Sequence, residues 1–248
     1  MRTFGLTDRG IERTENQDTF SVLQVPSRKC SIIALCDGMG GQNSGYFASE
    51  LARRSFTDYV LAKLTSRINK NPDVSEVLRL GCEESNSVVF QYSSFTEEYN
   101  GMGSTLVGAV VYDSGKVFLA NVGDSRAYLI NAGKNEVRQI TKDHSLVELY
   151  VDAGILTREQ ARTHKNKNII TRAIGEKQIV EPDLFELSLR KGDLLLLCSD
   201  GVSNYITDGE FLDCAEKCPE PEELCAELKR IVYSRGANDN LTLIAVMK

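Results

Sequence analysis

Leu35-Cys36-Asp37-Gly38-Met39-Gly40-Gly41 ends an apolar run, Ile32 to Cys36, on a carboxylate followed at once by glycines. A short unbroken apolar run is a buried strand, so the acid is delivered to the rim of a sheet. Gly38, Gly40 and Gly41 then let the backbone come close to whatever lies there. One such stretch is equally an ordinary Asp-Gly turn. The pattern recurs, however. Leu194-Leu195-Leu196-Leu197-Cys198-Ser199-Asp200-Gly201 is again an apolar run that stops at Asp-Gly. Two buried strands with the same ending describe a site rather than two unrelated turns.

Reading outward from Asp37, the alternating run Thr19 to Val25 is a strand, Pro26-Ser27-Arg28-Lys29 is a turn, and Cys30 to Cys36 is the returning strand. Asp18 and Asp37 lie equally far from the centre of that turn. In an antiparallel hairpin the start of one strand faces the end of the next, which predicts that the two acids share one rim. At the other end of the chain, Asp239 precedes the apolar run Leu241 to Val246, as Asp18 precedes its own. Four acids, Asp18, Asp37, Asp200 and Asp239, thus fall at strand starts or ends. The whole chain holds two histidines, His144 and His164, and shows no dense Cys/His cluster. A carboxylate-only constellation suits a hard cation, Mg²⁺ or Mn²⁺, rather than zinc. Several carboxylates repel one another unless cations stand between them. Two ions about 3.5–4 Å apart are the usual device for hydrolysing phosphate esters. The unhindered carbonyl of Gly38 could complete a coordination sphere.

The chain has 248 residues, 42% hydrophobic and 26% charged, with a net charge of −6. This suits one large domain, 1–248, with a sizeable core. No Lys/Arg cluster forms a stripe for a phosphate backbone, so nucleic acid is not expected as a partner. No apolar run reaches membrane-spanning length and no signal peptide opens the chain, so no membrane partner and a cytoplasmic location are expected. The seven cysteines are an odd count in such a chain and are read as free, mostly buried thiols.

Helices are expected from Ser44 to about Lys70 and from Val74 to about Tyr92, each with an apolar face for a sheet. Ser104 to Tyr112, Lys116 to Asn121 and Arg126 to Ile130 read as three consecutive strands. Asp124, in Gly123-Asp124-Ser125, would then sit at a hairpin tip. A short helix is expected from His144 to about Gly154, and Thr157-Arg158-Glu159-Gln160 reads as a capping box. The rest of the stretch 144–175 is polar and irregular, a surface lobe rather than core. Asp183 to Leu189 and Leu194 to Cys198 are strands. Glu210 to Lys217 and Glu222 to Arg235 are helices, and Leu241 to Val246 is a final strand. Strands then helices occur twice over.

These motifs carry a family resemblance. Arg13 to Asp18, Asp37-Gly38-Met39-Gly40-Gly41, Gly103-Ser104-Thr105, Gly123-Asp124-Ser125-Arg126, Ser199-Asp200-Gly201 and Asn238-Asp239-Asn240 occur in the order seen in the metal-dependent protein phosphatase 2C family. The short form resembles its bacterial serine/threonine branch, over nearly the whole chain. The resemblance implies an α+β fold: two stacked antiparallel β-sheets (a β-sandwich) flanked by α-helices on both faces. It implies hydrolysis of phosphoserine and phosphothreonine in proteins through a metal-bridging water, in opposition to a serine/threonine kinase that shares its substrates, by a monomer. It implies two tight Mn²⁺ or Mg²⁺ ions and a third, weaker one. Asp37 then bridges the pair and Gly38 lends its carbonyl. Asp18 is a ligand directly or through water, and Asp200 and Asp239 bind the second side. Asp124 holds the weaker ion, Arg13 grips the substrate phosphate, and 144–175 is the family's variable flap. Arg126 is expected in a structural ion pair.

One departure stands out. Animal members place a histidine after Asp-Gly, and many bacterial ones place it after Gly-Met-Gly-Gly; here those positions are Met39 and Gln42. The leaving-group proton is then expected from a metal-bound water, with His144 as the other candidate. The second functional reading is a catalytically weak phosphopeptide-binding or scaffold domain of the same fold. Intact Asp18, Asp37, Asp200 and Asp239 favour the enzyme.

Overall fold

The computed structural model describes residues 1–41, 44–95 and 97–248. Its elements run β1 (Arg2–Asp8), β2 (Asp18–Val25), β3 (Cys30–Met39), α1 (Ser44–Leu64), α2 (Val74–Phe95), β4 (Gly103–Ser104), β5 (Leu106–Tyr112) and β6 (Lys116–Val122). There follow β7 (Arg126–Asn131), β8 (Glu136–Gln139), α3 (Leu146–Asp152), α4 (Arg158–Thr163), β9 (Asp183–Ser188), β10 (Asp193–Cys198), α5 (Asp200–Ser203), α6 (Asp208–Lys217), α7 (Pro221–Ser234) and β11 (Leu241–Met247). One sheet has the order β1-β11-β10-β7-β8 and the other β2-β3-β5-β6-β9, with the short β4 added to β3 at one rim. Neighbouring strands are antiparallel throughout.

The unbroken apolar runs arise because the central strands are covered on both faces. In β3, Ile32, Ala34 and Cys36 face α1 and α2, while Ile33 and Leu35 face the opposite sheet. In β10, Leu194, Leu196 and Cys198 pack under α6 and α7, and Leu195 and Leu197 point between the sheets. Strand β11 repeats this with Leu243 and Ala245 against Ile244 and Val246. A period-2 strand buried on both sides reads as continuously hydrophobic. The result is four layers, helices–sheet–sheet–helices, as expected. Helix α1 keys into its sheet through Phe56, whose ring lies over Gly108; a Cβ on Gly108 would stand 2.3 Å from that ring.

Several boundaries differ from the sequence reading. Helix α1 ends at Leu64, not near Lys70. The Thr65 hydroxyl donates back to the Leu61 carbonyl, and the Ser66 hydroxyl accepts from the amides of Ile68 and Asn69. Hydroxyl side chains that offer the backbone other partners end helices in this way. Helix α2 runs on to Phe95. Strand β8 was not expected; it closes a hairpin with β7 through a turn in which the Asn131 side chain caps the Lys134 amide and Asn135 is left-handed, φ 54. The single turn α5 was also unexpected. The Thr157–Gln160 capping box opens α4 as read. All seven cysteines are free, six buried and Cys218 partly so.

Candidate metal centre

The β2–β3 hairpin pairs Asp18 directly with Asp37, so the symmetry about the turn placed both acids on one rung. Asp18 is 3% exposed. Its Oδ2 accepts from the Ser199 hydroxyl at 2.7 Å, and Ser199 in turn accepts from the Thr242 amide at 3.0 Å. Its Oδ1 is buried with no hydrogen-bond partner. Asp37 is fixed through its backbone. Its amide donates to the Thr105 hydroxyl at 2.9 Å, and its carbonyl accepts from the Thr105 amide at 2.8 Å and the Ser104 hydroxyl at 3.0 Å. Its side chain stays partly exposed on the rung it shares with Asp18. Gly38 is required by packing: a Cβ there would lie 1.9 Å from the Gly45 carbonyl, where α1 begins. Gly201 likewise makes room for the Asn240 carbonyl, 1.8 Å from where a Cβ would be.

Asp200 opens α5 directly after β10, and Asn204 one turn later donates to its Oδ2 at 3.1 Å. Asp239 accepts the Arg13 guanidinium at 2.9 Å and the Asn240 amide at 2.8 Å. The Asn240 side chain ties down the loop that carries Arg13. It accepts from the Gln17 amide at 2.8 Å and donates to the carbonyls of Arg9 and Glu15 at 2.9 and 2.8 Å. Arg13 therefore points at the acids while its side chain stays half exposed.

Asp124 corrects an expectation. It is not at a hairpin tip, because β6 and β7 belong to different sheets: β6 pairs β5 and β9, and β7 pairs β10 and β8. Gly123-Asp124-Ser125 is the crossover between the sheets, and Asp124 is buried, its Oδ1 without a partner. Ser125 shares a hydrogen bond of 2.7 Å with Thr105, the residue that holds the Asp37 amide. Arg126 makes the expected structural pair, a fork onto Asp143 at 2.7–3.1 Å.

Burial and mutual repulsion raise four of the acids, Asp18, Asp37, Asp124 and Asp200. Burial is the main cause at Asp18, which is pushed up to about 7, with Asp200 and Asp239 adding to the shift. Asp200 rises to about 6 through burial and then the charge of Asp239. Asp37 is held well above the usual range by burial and by Asp18, Asp200, Asp124 and Asp239. Asp124 is raised by burial and Asp200. Acids that feel one another this strongly, with orphaned oxygens among them, fit a cation pair between them. Among the described residues no three His, Cys, Asp or Glu side chains already close on a single point.

His144 does not stand as a free acid. It is 8% exposed and both ring nitrogens are engaged. Gln42 lies outside the described residues. The stretch 144–175 contains α3 and α4 and leans on the site: Asp124 and Asp200 share a cleft with Arg158, Arg162 and Lys167. The sequence reading missed Ser199, Thr105 and Asn240, which hold Asp18, Asp37 and the Arg13 loop. Only the Gly-Ser-Thr and Asp-Asn pairings beside the acids carried a signal for them.

An all-oxygen rim between two sheets, with an arginine leaning over it, defines a metal-dependent hydrolase of phosphate esters. The sequence profile of protein phosphatase 2C matches residues 13–241. The serine/threonine phosphatase stp of Listeria welshimeri is 37% identical over 240 residues, which cover 97% of this chain and 93% of that protein. The crystal structure of serine/threonine phosphatase Stp1 from Staphylococcus aureus superposes with a TM-score of 0.90 at 34% identity, covering 99% of this chain and 94% of that one. The catalytic domain of serine/threonine protein phosphatase PstP, solved in complex with 2 manganese ions, superposes at 0.81 with 33% identity, covering 98% and 96%. The chain belongs to the protein phosphatase 2C family, whose members are Mn²⁺- or Mg²⁺-dependent serine/threonine phosphatases.

Proposed function

We propose that residues 1–248 act as one catalytic domain that removes phosphate from serine and threonine in proteins, with Asp37 at its centre. The observation that carries this is the rung on which Asp18 faces Asp37, with buried Asp124 and half-buried Asp200 and Asp239 close enough that their charges raise Asp37. Asp37 and the Gly38 carbonyl would hold both ions, with Asp18 as a ligand directly or through water. Asp200 and Asp239 would hold the second side, and Asp124 a third, weaker ion. Bound here, Mn²⁺ or Mg²⁺ supplies charge against the phosphoryl oxygens and makes water a better nucleophile at neutral pH.

The chain's own groups do the rest. Arg13 offers its fork to two phosphate oxygens, exchanging Asp239 for the substrate. Asn240 holds the Arg13 loop so that the fork needs no search. Ser199 keeps Asp18 aimed into the rim. The flap 144–175, with Arg158, Arg162 and Lys167 on the cleft, meets the protein part of the substrate. His144, with both ring nitrogens engaged, does not donate to the leaving alkoxide, and water at the centre would serve as the acid.

The enzyme reading is preferred over a scaffold because every acid of the set is present and positioned. It acts as a monomer in the cytoplasm and opposes a serine/threonine kinase. Among the described residues no helix is long and apolar enough to cross a membrane. The deciding experiment is hydrolysis of a phosphothreonine peptide. Chelation abolishes it and Mn²⁺ or Mg²⁺ restores it; full turnover in excess chelator overturns the reading.

A further inference from the structure

His144 binds the β6–β7 crossover twice. Its backbone amide donates to the Gly123 carbonyl at 3.0 Å, and its ring Nδ1 accepts from the Gly123 amide at 3.0 Å. Its carbonyl accepts from the Thr171 amide at 2.8 Å, on the returning root of the flap. Its Nε2 lies 3.2 Å from Asp183 Oδ2, at the start of β9. One buried residue thus joins both roots of the flap, the edge strand β9 and the crossover that carries Asp124.

The hydrogen bonds fix the tautomer. An amide N–H can only donate, so Nδ1 must be the bare nitrogen and the proton sits on Nε2. That proton is given to Asp183. Arg172 lies 2.9 Å from the same Nε2, but two donors cannot satisfy each other. Its partners are therefore Asp183 Oδ1 at 2.9 Å and the Glu181 carbonyl at 2.7 Å. The crossover has little freedom of its own. Gly123 stands at φ +108, and a Cβ there would lie 2.6 Å from Thr105. Asn121 also donates to its carbonyl, at 3.3 Å. What sets the direction of the next residue, Asp124, is how the Gly123 peptide is held, and on its N–H side that is the His144 ring.

We infer that His144 is a positioning residue that pins the Gly123 peptide and so aims Asp124, making the flap's anchorage and the Asp124 ion site one unit. This rests on the reading of Asp124 as a ligand. Asn at 144 keeps an acceptor where Nδ1 stands; Gln places its amide where Nε2 stands and leaves the Gly123 amide bare.

The test uses the full chain and four variants: His144→Asn, His144→Gln, His144→Ala and Asp124→Ala. Hydrogen exchange at the Gly123 amide, followed without metal, should stay near the parent rate in His144→Asn and rise on the order of tenfold or more in His144→Gln and His144→Ala. The Mn²⁺ concentration giving half-maximal turnover should rise on the order of tenfold in the same two variants and in Asp124→Ala. Parent-like exchange in His144→Gln overturns the pin, as does a His144→Asn variant no better than Gln. If thermal melting shows that His144→Ala does not fold, the Asn–Gln comparison decides alone. If Asp124→Ala leaves the Mn²⁺ requirement unchanged, the ligand reading fails and takes the pin's role with it. If Asp124→Ala raises the requirement and the His144 variants do not, the pin alone fails.

Discussion

Asp37 gives its backbone to Thr105 and Ser104 and keeps its carboxylate for the rim. Asp37→Asn should therefore leave the melting temperature of the metal-free chain close to the parent's or higher, since a repelling buried charge is gone. Turnover should fall on the order of 10³-fold or more; near-normal turnover would remove Asp37 from the centre. Asp18 makes a second prediction, in pH. In the folded metal-free chain it keeps its proton up to about 7, whereas an unfolded Asp releases it near 4, about its ordinary value. Between those limits the folded state binds more protons, so stability falls as pH rises through the window. The penalty is fully present above pH 7 and absent below 4. Stripped of metal, the protein should melt at a higher temperature at pH 5 than at pH 8, and saturating Mn²⁺ should reverse the order. A metal-free melting temperature that rises from pH 5 to 8 would show that the acids are not buried together. The position of Asp18 opposite Asp37 was legible because a hairpin is a local object whose register follows from its turn. The burial of Asp124 was not, because a three-residue Gly-Asp-Ser link between two apolar runs looks the same whether the runs pair or part.

At the scale of elements, the same contrast recurs. Strands β3, β10 and β11 were legible from hydrophobic runs that two-sided burial demands. Strand β8 has four residues, half of them exposed, and α5 has one turn; neither is long enough to show a period. The close of α1 was misread because its apolar spacing continues past the point where Thr65 and Ser66 capture the backbone. Helix α1 should be held to its sheet chiefly by the Phe56–Gly108 contact. Phe56→Ala empties that contact and should cost about 3–5 kcal/mol in urea unfolding, while a loss below about 1 kcal/mol would mean that the helix is anchored elsewhere. The flap offers a functional counterpart. Exchanging 144–175 for the flap of another family member should change rates on phosphoproteins far more than on a small aryl phosphate. Equal changes on both would make the lobe purely structural.

Across the whole molecule, the proposed centre draws on two sheets that share no strand. Asp18 and Asp37 come from one, and Asp200 and Asp239 flank β10 and β11 of the other, with Asp124 on the link between them. Function was legible from the sequence because the motif order spans the chain; the way the sheets stack was not, since it depends on pairings between residues far apart in sequence. Strand β11 lies between β1 and β10, so a segment more than 230 residues away from β1 in sequence enters the middle of its sheet. Until Leu241–Met247 is in place, β1 has no neighbour, Thr242 cannot hold Ser199, and Asp239 and Arg13 have not met. Displacing this one strand would therefore undo the Arg13–Asp239 pair and the Ser199 support of Asp18 together. A single insertion thus completes both the sheet and the proposed site, so the two should be lost or gained as one.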